Sequence, residues 1–384
     1  MAAPAPAPAA TGAALTPPAA PLARPLSLYL DCCRFLAAVL VVASHLGPYG
    51  IIGAQRDAWL LDLGRESVVV FFVLSGFVIA HTTRHKNTDL RGYCLARCTR
   101  IYSVALPLLV LAFALAAALA AAGLAPGKQF YQLAKPWLYL PLHLLFMGEL
   151  WTISEPPPLL APWWSLGYEV WYYVLFGALY YLRGRRRIVA GASLLLLMGP
   201  KLWLLLPVWA AGVLVYRWQQ GLVFNRPLAL LGWGASLGLL VLFKETGTDD
   251  ALRALARDIW PFPGLPLKSA DRFLADYVVC LLVAANFLCA KSAGFSSLLR
   301  IERPVRGLAS YTFTLYLVHV LVMRLWLVLY PHDPGSAVDL ALLLAAIAAV
   351  TWLVGQVTEQ RKWWFGRQFE RLAAAWWPRQ VRRT

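Results

Sequence analysis

The chain has 384 residues, 60% of them hydrophobic and only 14% charged, where an ordinary soluble domain carries about 25% charged. A soluble core cannot hide that much apolar surface, which excludes a water-soluble globular enzyme. The formal charge of +16 lies in short loops between apolar runs, a placement that orients a membrane protein and argues against a nucleic-acid groove.

In chain order, residues 1–25 are Ala/Pro-rich with a single charge and lack both a signal peptide's charged start and a packable apolar period, so they read as a disordered cytoplasmic tail. A membrane crossing needs about 20 apolar residues. On that measure spans are expected near 28–50, 66–82, 101–123, 163–182, 187–199, 202–218, 227–243, 272–290, 308–330 and 336–356. The fold class is therefore all-α, a polytopic membrane bundle of about ten transmembrane helices filling a domain over 26–357. Gly199-Pro200-Lys201 is all that divides the fifth and sixth spans, and the run 137–147 is too short to cross. Residues 358–384 carry Trp363, Trp364, Trp376 and Trp377 among Arg and Lys, which predicts a basic amphipathic helix on the cytoplasmic leaflet.

Loop charge sets the direction. With the N-terminus inside, the inner loops hold Arg84, Lys86, Arg91, Arg97 and Arg100, then Arg183, Arg185, Arg186 and Arg187, then Arg217 and Arg226, then Lys291, Arg300, Arg303 and Arg306. The outer loop 244–271 balances Lys244, Arg253, Arg257 and Lys268 against Glu245, Asp249, Asp250, Asp258 and Asp271. Both termini are thus expected on the cytoplasmic side. Cys32, Cys33, Cys94, Cys98, Cys280 and Cys289 fall in spans or on the inner side, which argues against a disulfide framework. Cys94 and Cys98 alone are too few for zinc, and no metal site is expected.

Ionisable groups inside a span cost energy and point to function. The first span, L-D-C-C-R-F-L-A-A-V-L-V-V-A-S-H, places Asp31 and Arg34 three residues apart, where they can pair. His45 follows Arg34 by eleven residues, on the same helix face and roughly 16 Å further along. Against this stands the blander reading that Arg34 snorkels and His45 is a packing donor. The fourth span runs W-W-S-L-G-Y-E, putting Glu169 about as deep as His45, where it could orient and activate the ring or close a structural ion pair. Ser75-Gly76, within F-F-V-L-S-G-F, offers a small contact surface at mid-depth. The ninth span adds Ser310, Tyr311, Tyr316, His319 and Arg324; His319 could line the same cavity or be structural.

These pieces together resemble the membrane-bound acyltransferase-3 family, whose members O-acylate surface polysaccharides such as O-antigen, lipid-linked sugars, peptidoglycan and small molecules. The matching runs, in order over residues 28–330, are L-D-x-x-R with the later His (Asp31, Arg34, His45), F-F-V-L-S-G-F (71–77), R-x-x-R-I (Arg97, Arg100, Ile101), W-S-L-x-x-E (Trp164 to Glu169) followed by Tyr172, and S-Y with the later Tyr-Leu and His (Ser310 to His319). The resemblance implies an acyl-CoA-dependent O-acyltransferase with no permanently bound cofactor, acetyl-CoA being the commonest donor substrate. His45 would be the general base or first acyl acceptor, oriented by Glu169. Arg34, Arg97 and Arg100 would bind donor phosphates at the inner mouth, with Asp31 beside Arg34 in the same acyl-CoA site, and Ser75, Trp164, Tyr172, Tyr316 and His319 would line the substrate path. Arg97 and Arg100 could equally serve only to orient the third span. The implied partners are acyl-CoA, a glycan or lipid-linked acceptor and the lipid bilayer, with no nucleic acid, in a bacterial-type inner membrane. A transporter or flippase of a lipid-linked substrate competes with this reading, although no repeated half with matching broken helices appears. A membrane scaffold built on the basic aromatic tail is a third class. Acceptor, acyl group and oligomeric state are left open by the sequence.

Overall fold

A computed structural model describes residues 22–53, 62–86, 89–124 and 130–376. Within these lie fourteen α-helices and no strand. They are α1 (Arg24–Leu46), α2 (Gly64–His85), α3 (Leu90–Ala121), α4 (Pro136–Leu144), α5 (Trp163–Tyr181), α6 (Gly184–Met198), α7 (Pro200–Trp218), α8 (Arg226–Glu245), α9 (Thr248–Asp258), α10 (Phe273–Ala293), α11 (Glu302–Ala309), α12 (Thr312–Leu329), α13 (Ala337–Val357) and α14 (Lys362–Trp376). Most of the expected N-terminal tail lies outside the described residues. Arg24 and Pro25 already belong to α1, where a proline in the first turn gives up no helical hydrogen bond.

All ten expected spans coincide with helices, but seven helical segments are long and apolar enough to cross alone, or eight if α6 and α7 count as one bent span. The ten-span count is therefore not confirmed. α5 has eight Trp and Tyr among nineteen residues, which lowers its hydropathy. α6 has 15 residues, a rise of about 22 Å against a hydrocarbon core of about 30 Å. The chain bends by 118° between α6 and α7. Gly199 makes that turn at φ +78°, beside the Trp151 backbone, where a side chain would be strained and crowded.

Leu36, Val110, Leu231, Leu281, Leu342 and Leu353 are exposed on the bundle's outside, as lipid-facing residues must be. Inside, α2 is gripped by α7. A Cβ on Gly76 would strike the Trp209 carbonyl, and one on Gly212 would strike the Val73 carbonyl, so the backbones touch where both lack side chains. The small surface at Ser75-Gly76 is used this way.

The loop charges sort to two ends. At one, Arg24 bonds Glu302 at 2.7 Å, Arg84 bonds Gln220 at 2.8 Å, and Lys291 reaches the Gln219 carbonyl. At the other, Lys244 holds Asp249 at 2.6 Å and Arg272 holds Glu66 at 3.1 Å. α14 docks on α3 through Tyr102 and Phe369, with ring centroids 6.0 Å apart, and through Gly366 against Thr99. Trp363 and Trp364 remain about half exposed, and Trp377 lies outside the described residues. All six cysteines are free.

Candidate active site

The polar residues of the spans form a column between the two ends. At its basic end Arg34 pairs with Asp31 one turn earlier, at 3.3 Å, and Asp31 also takes Arg306 at 3.0 Å. Arg100 of α3 lies within electrostatic range of both Arg34 and Arg97. Arg97 lays its guanidinium over the Tyr173 ring at 5.7 Å, while its buried Nε and Nη1 have no hydrogen-bond partner. Glu359, just after α13, accepts from the Thr314 backbone N–H (3.2 Å) and hydroxyl (3.0 Å), which brings a carboxylate toward Arg100.

One layer further in, Ser75 of α2 donates to Glu169 Oε1 at 2.6 Å and lies 2.9 Å from the Tyr173 hydroxyl, which itself bonds Glu169. The Trp209 indole N–H donates to Ser75 Oγ at 3.1 Å. Ser75, Glu169 and Tyr173 join Arg34, Arg100, Ser165 and Tyr316 around a cavity of about 70 Å³, room for about two waters. Tyr316 closes it, its hydroxyl 2.6 Å from Ser165 Oγ and its ring against Phe71.

Beyond Tyr316 stand the two histidines. His45 Nδ1 lies 2.7 Å from the Val41 carbonyl and His319 Nδ1 3.1 Å from the Leu315 carbonyl. A carbonyl only accepts, so each ring carries its proton on Nδ1 and keeps an Nε2 lone pair when neutral. His319 Nε2 is 3.4 Å from His45 Nδ1, so the His45 N–H is forked between Val41 and His319. Among the described residues none hydrogen-bonds His45 Nε2, whose lone pair is left open. His319 is fully buried, and His45 also stacks on Tyr49 at 5.8 Å.

Of the expected residues, α1, α2, α3, α5 and α12 bring Arg34, Ser75, Arg100, Glu169 and Tyr316 around one cavity, and the pairings differ from those expected. No hydrogen bond joins Glu169 to His45. Glu169 shares its cavity with Arg34 and Arg100, one layer short of the histidines, and His319 is the neighbour that His45 has. Trp164 and Tyr172 do not line the cavity. Trp164 lies under Arg65 at 5.0 Å, which in turn grips Asp276. The Tyr172 hydroxyl is consumed by the Leu202 carbonyl at 2.7 Å. Arg97 faces a separate space of about 340 Å³ between α3 and α5, with Tyr173 as the shared wall.

Sequence reasoning missed Tyr173, Ser165, Trp209 and Glu359. Tyr173 had a signal, one helical turn from Glu169 on the same face. Trp209 and Glu359 had none, because only packing of α7 and the post-α13 turn brings them in. It also missed a buried pair away from the column. Lys201 Nζ lies 3.0 Å from Glu149 Oε2, which also accepts from Ser269 at 2.7 Å.

A family model for an acyltransferase domain, that of the acyltransferase-3 family, matches residues 27–356. No curated protein and no solved structure shows significant similarity to the chain. The matched stretch takes in every residue of the column except Glu359, and the chain belongs to the acyltransferase-3 family as a multi-pass membrane acyltransferase.

Proposed function

We propose that the protein moves an acyl group, acetyl in the first instance, from cytoplasmic acyl-CoA to a hydroxyl of a polysaccharide, lipid-linked sugar or similar acceptor across the membrane. The observation that carries this reading is the forked Nδ1–H of His45, which leaves Nε2 free as a base at the opposite end of the column from three guanidiniums. Arg34, Arg97 and Arg100 suit the diphosphate and ribose phosphate of a CoA donor, since a guanidinium forks onto phosphate oxygens. The basic loops share the Arg34 end, which supports placing that end and both termini in the cytoplasm of a bacterial-type inner membrane.

In this scheme the thioester passes Tyr316 to reach His45. Nε2 takes the acceptor hydroxyl's proton as its oxygen bonds the thioester carbon. The C–S bond breaks, the acyl ester forms, and the imidazolium returns its proton to the CoA thiolate. Ser165 and Tyr316 supply hydroxyls along the thioester's route. Exclusion of water by the packed bundle protects the thioester from hydrolysis.

The test is incubation of membranes with labelled acetyl-CoA, followed by fractionation of lipids, glycans and small molecules. Label should enter one fraction, and His45→Ala, inserted normally, should abolish transfer. Arg97→Gln and Arg100→Gln should weaken CoA binding. Wild-type transfer by His45→Ala, or unaltered CoA binding by the arginine variants, defeats the corresponding assignment.

A further inference from the structure

Beyond the histidines, at the end opposite the arginine cluster, lies a further cation. Arg324 lies on α12, five residues after His319 and about 7.5 Å further along the axis. Its guanidinium sits over the Tyr49 ring at 5.2 Å, and Tyr49 is the residue that stacks on His45. Its Nε is buried without a hydrogen-bond partner, and no hydrogen bond or ion pair ties it to any described residue.

Four cations at that end are held in ion pairs. Arg65 holds Asp276, Lys244 holds Asp62 and Asp249, Arg253 holds Asp271, and Arg272 holds Glu66. The nearby carboxylates are engaged too. Asp339 accepts from the Trp326 indole (2.9 Å) and the Asp333 backbone N–H (2.7 Å) and lies 2.7 Å from His332 Nδ1, while Asp333 accepts from Gly335 N–H at 2.9 Å. Arg257 and Lys268 also lack ion pairs, but they are exposed to water. Arg324 is half-buried with no ion-pair partner among the described residues, and a guanidinium so placed calls for an anion from outside. Tyr49 holds it at the mouth above His45 and leaves its donors unspent.

Resting on the proposed acyl transfer, we propose that Arg324 and Tyr49 form the acceptor's anion subsite, and that the acceptor is an acidic glycan or sugar phosphate. Its carboxylate or phosphate binds Arg324 while a hydroxyl of the same or the adjoining sugar meets His45 Nε2. Tyr49 contacts both, its ring centroid 5.2 Å from the Arg324 guanidinium and 5.8 Å from the His45 ring.

The test uses the purified full chain in maltoside micelles free of phospholipid, with methyl β-glucuronide and methyl β-glucoside as a pair differing only at the carboxylate. Calorimetry should give at least tenfold tighter binding of the glucuronide. Arg324→Gln should erase that gap, Arg324→Lys should restore part of it, and Arg253→Gln should leave it intact. Equal binding of the pair, no binding of either, or a gap that survives Arg324→Gln overturns the subsite. In phosphatidylcholine vesicles the gap should persist when phosphatidylglycerol is added; its loss there would assign Arg324 to a lipid headgroup and overturn the acceptor reading. Acetyl transfer is measured separately on the same samples. A glucuronide preference without transfer leaves the subsite standing and counts against the acyltransfer scheme.

Discussion

Replacing His319 tests the pairing that the fold chose for His45. In the resting enzyme the 3.4 Å contact from His45 Nδ1 is the longer branch of a fork whose 2.7 Å branch goes to Val41. It adds little while His45 is neutral. Once His45 has taken the acceptor's proton, the same N–H belongs to an imidazolium, and the His319 Nε2 lone pair becomes an acceptor for a charged donor. Such bonds are worth about 1.5–3 kcal/mol, so His319→Phe should lower kcat about ten- to hundredfold and leave the KM for acyl-CoA within about twofold. His319→Gln, whose side-chain carbonyl can accept, should recover part of the loss. The assay is labelled-acetyl transfer on protein that elutes as the wild type does in size exclusion and melts within a few degrees of it. Full activity in His319→Phe would refute the reasoning. Equal losses in the Phe and Gln variants with a raised KM would reduce His319 to packing.

Other substitutions probe the frame. Lys201→Met strands Glu149 in a site where both side chains are almost fully buried, and should cost about 3–5 kcal/mol in detergent unfolding; adding Glu149→Leu should recover much of it. Gly212→Val drives a side chain into the Val73 carbonyl and should cost about 1–3 kcal/mol or more, read as a lowered melting temperature, because two backbones must part. Asp249 lies beyond the spans, and although burial alone would raise its carboxyl, Lys244 and Arg272 outweigh that and hold it below the usual range. Its contribution is therefore present above about pH 4 and fades as pH falls through the depressed value. Wild type should lose melting temperature on acidification in that window, and Asp249→Asn should start lower at pH 6 and change less.

The helices and their polar cargo were legible because hydropathy, proline placement and loop charge are local properties of the chain. So were Asp31, Arg34 and His45 on one face of α1, since helical periodicity alone aligns them. The span count was less legible. Tyr and Trp make α5 score as polar, and Gly199 reverses the chain so tightly that α6 and α7 can be counted together or apart.

What tertiary structure alone decided is which buried groups meet. Depth along each helix put Glu169 level with His45, but depth is one coordinate, and helix tilt and packing supply the others. α2 and α7 close on each other through Gly76 and Gly212, which carries Ser75 and Trp209 to Glu169 and leaves His45 to α12. The residue types, their order and the basic end of the bundle follow from the sequence. The His45–His319 pair, the Glu169–Ser75–Tyr173 layer and the unspent charge of Arg324 follow from packing, because each depends on contacts between segments that no local spacing relates.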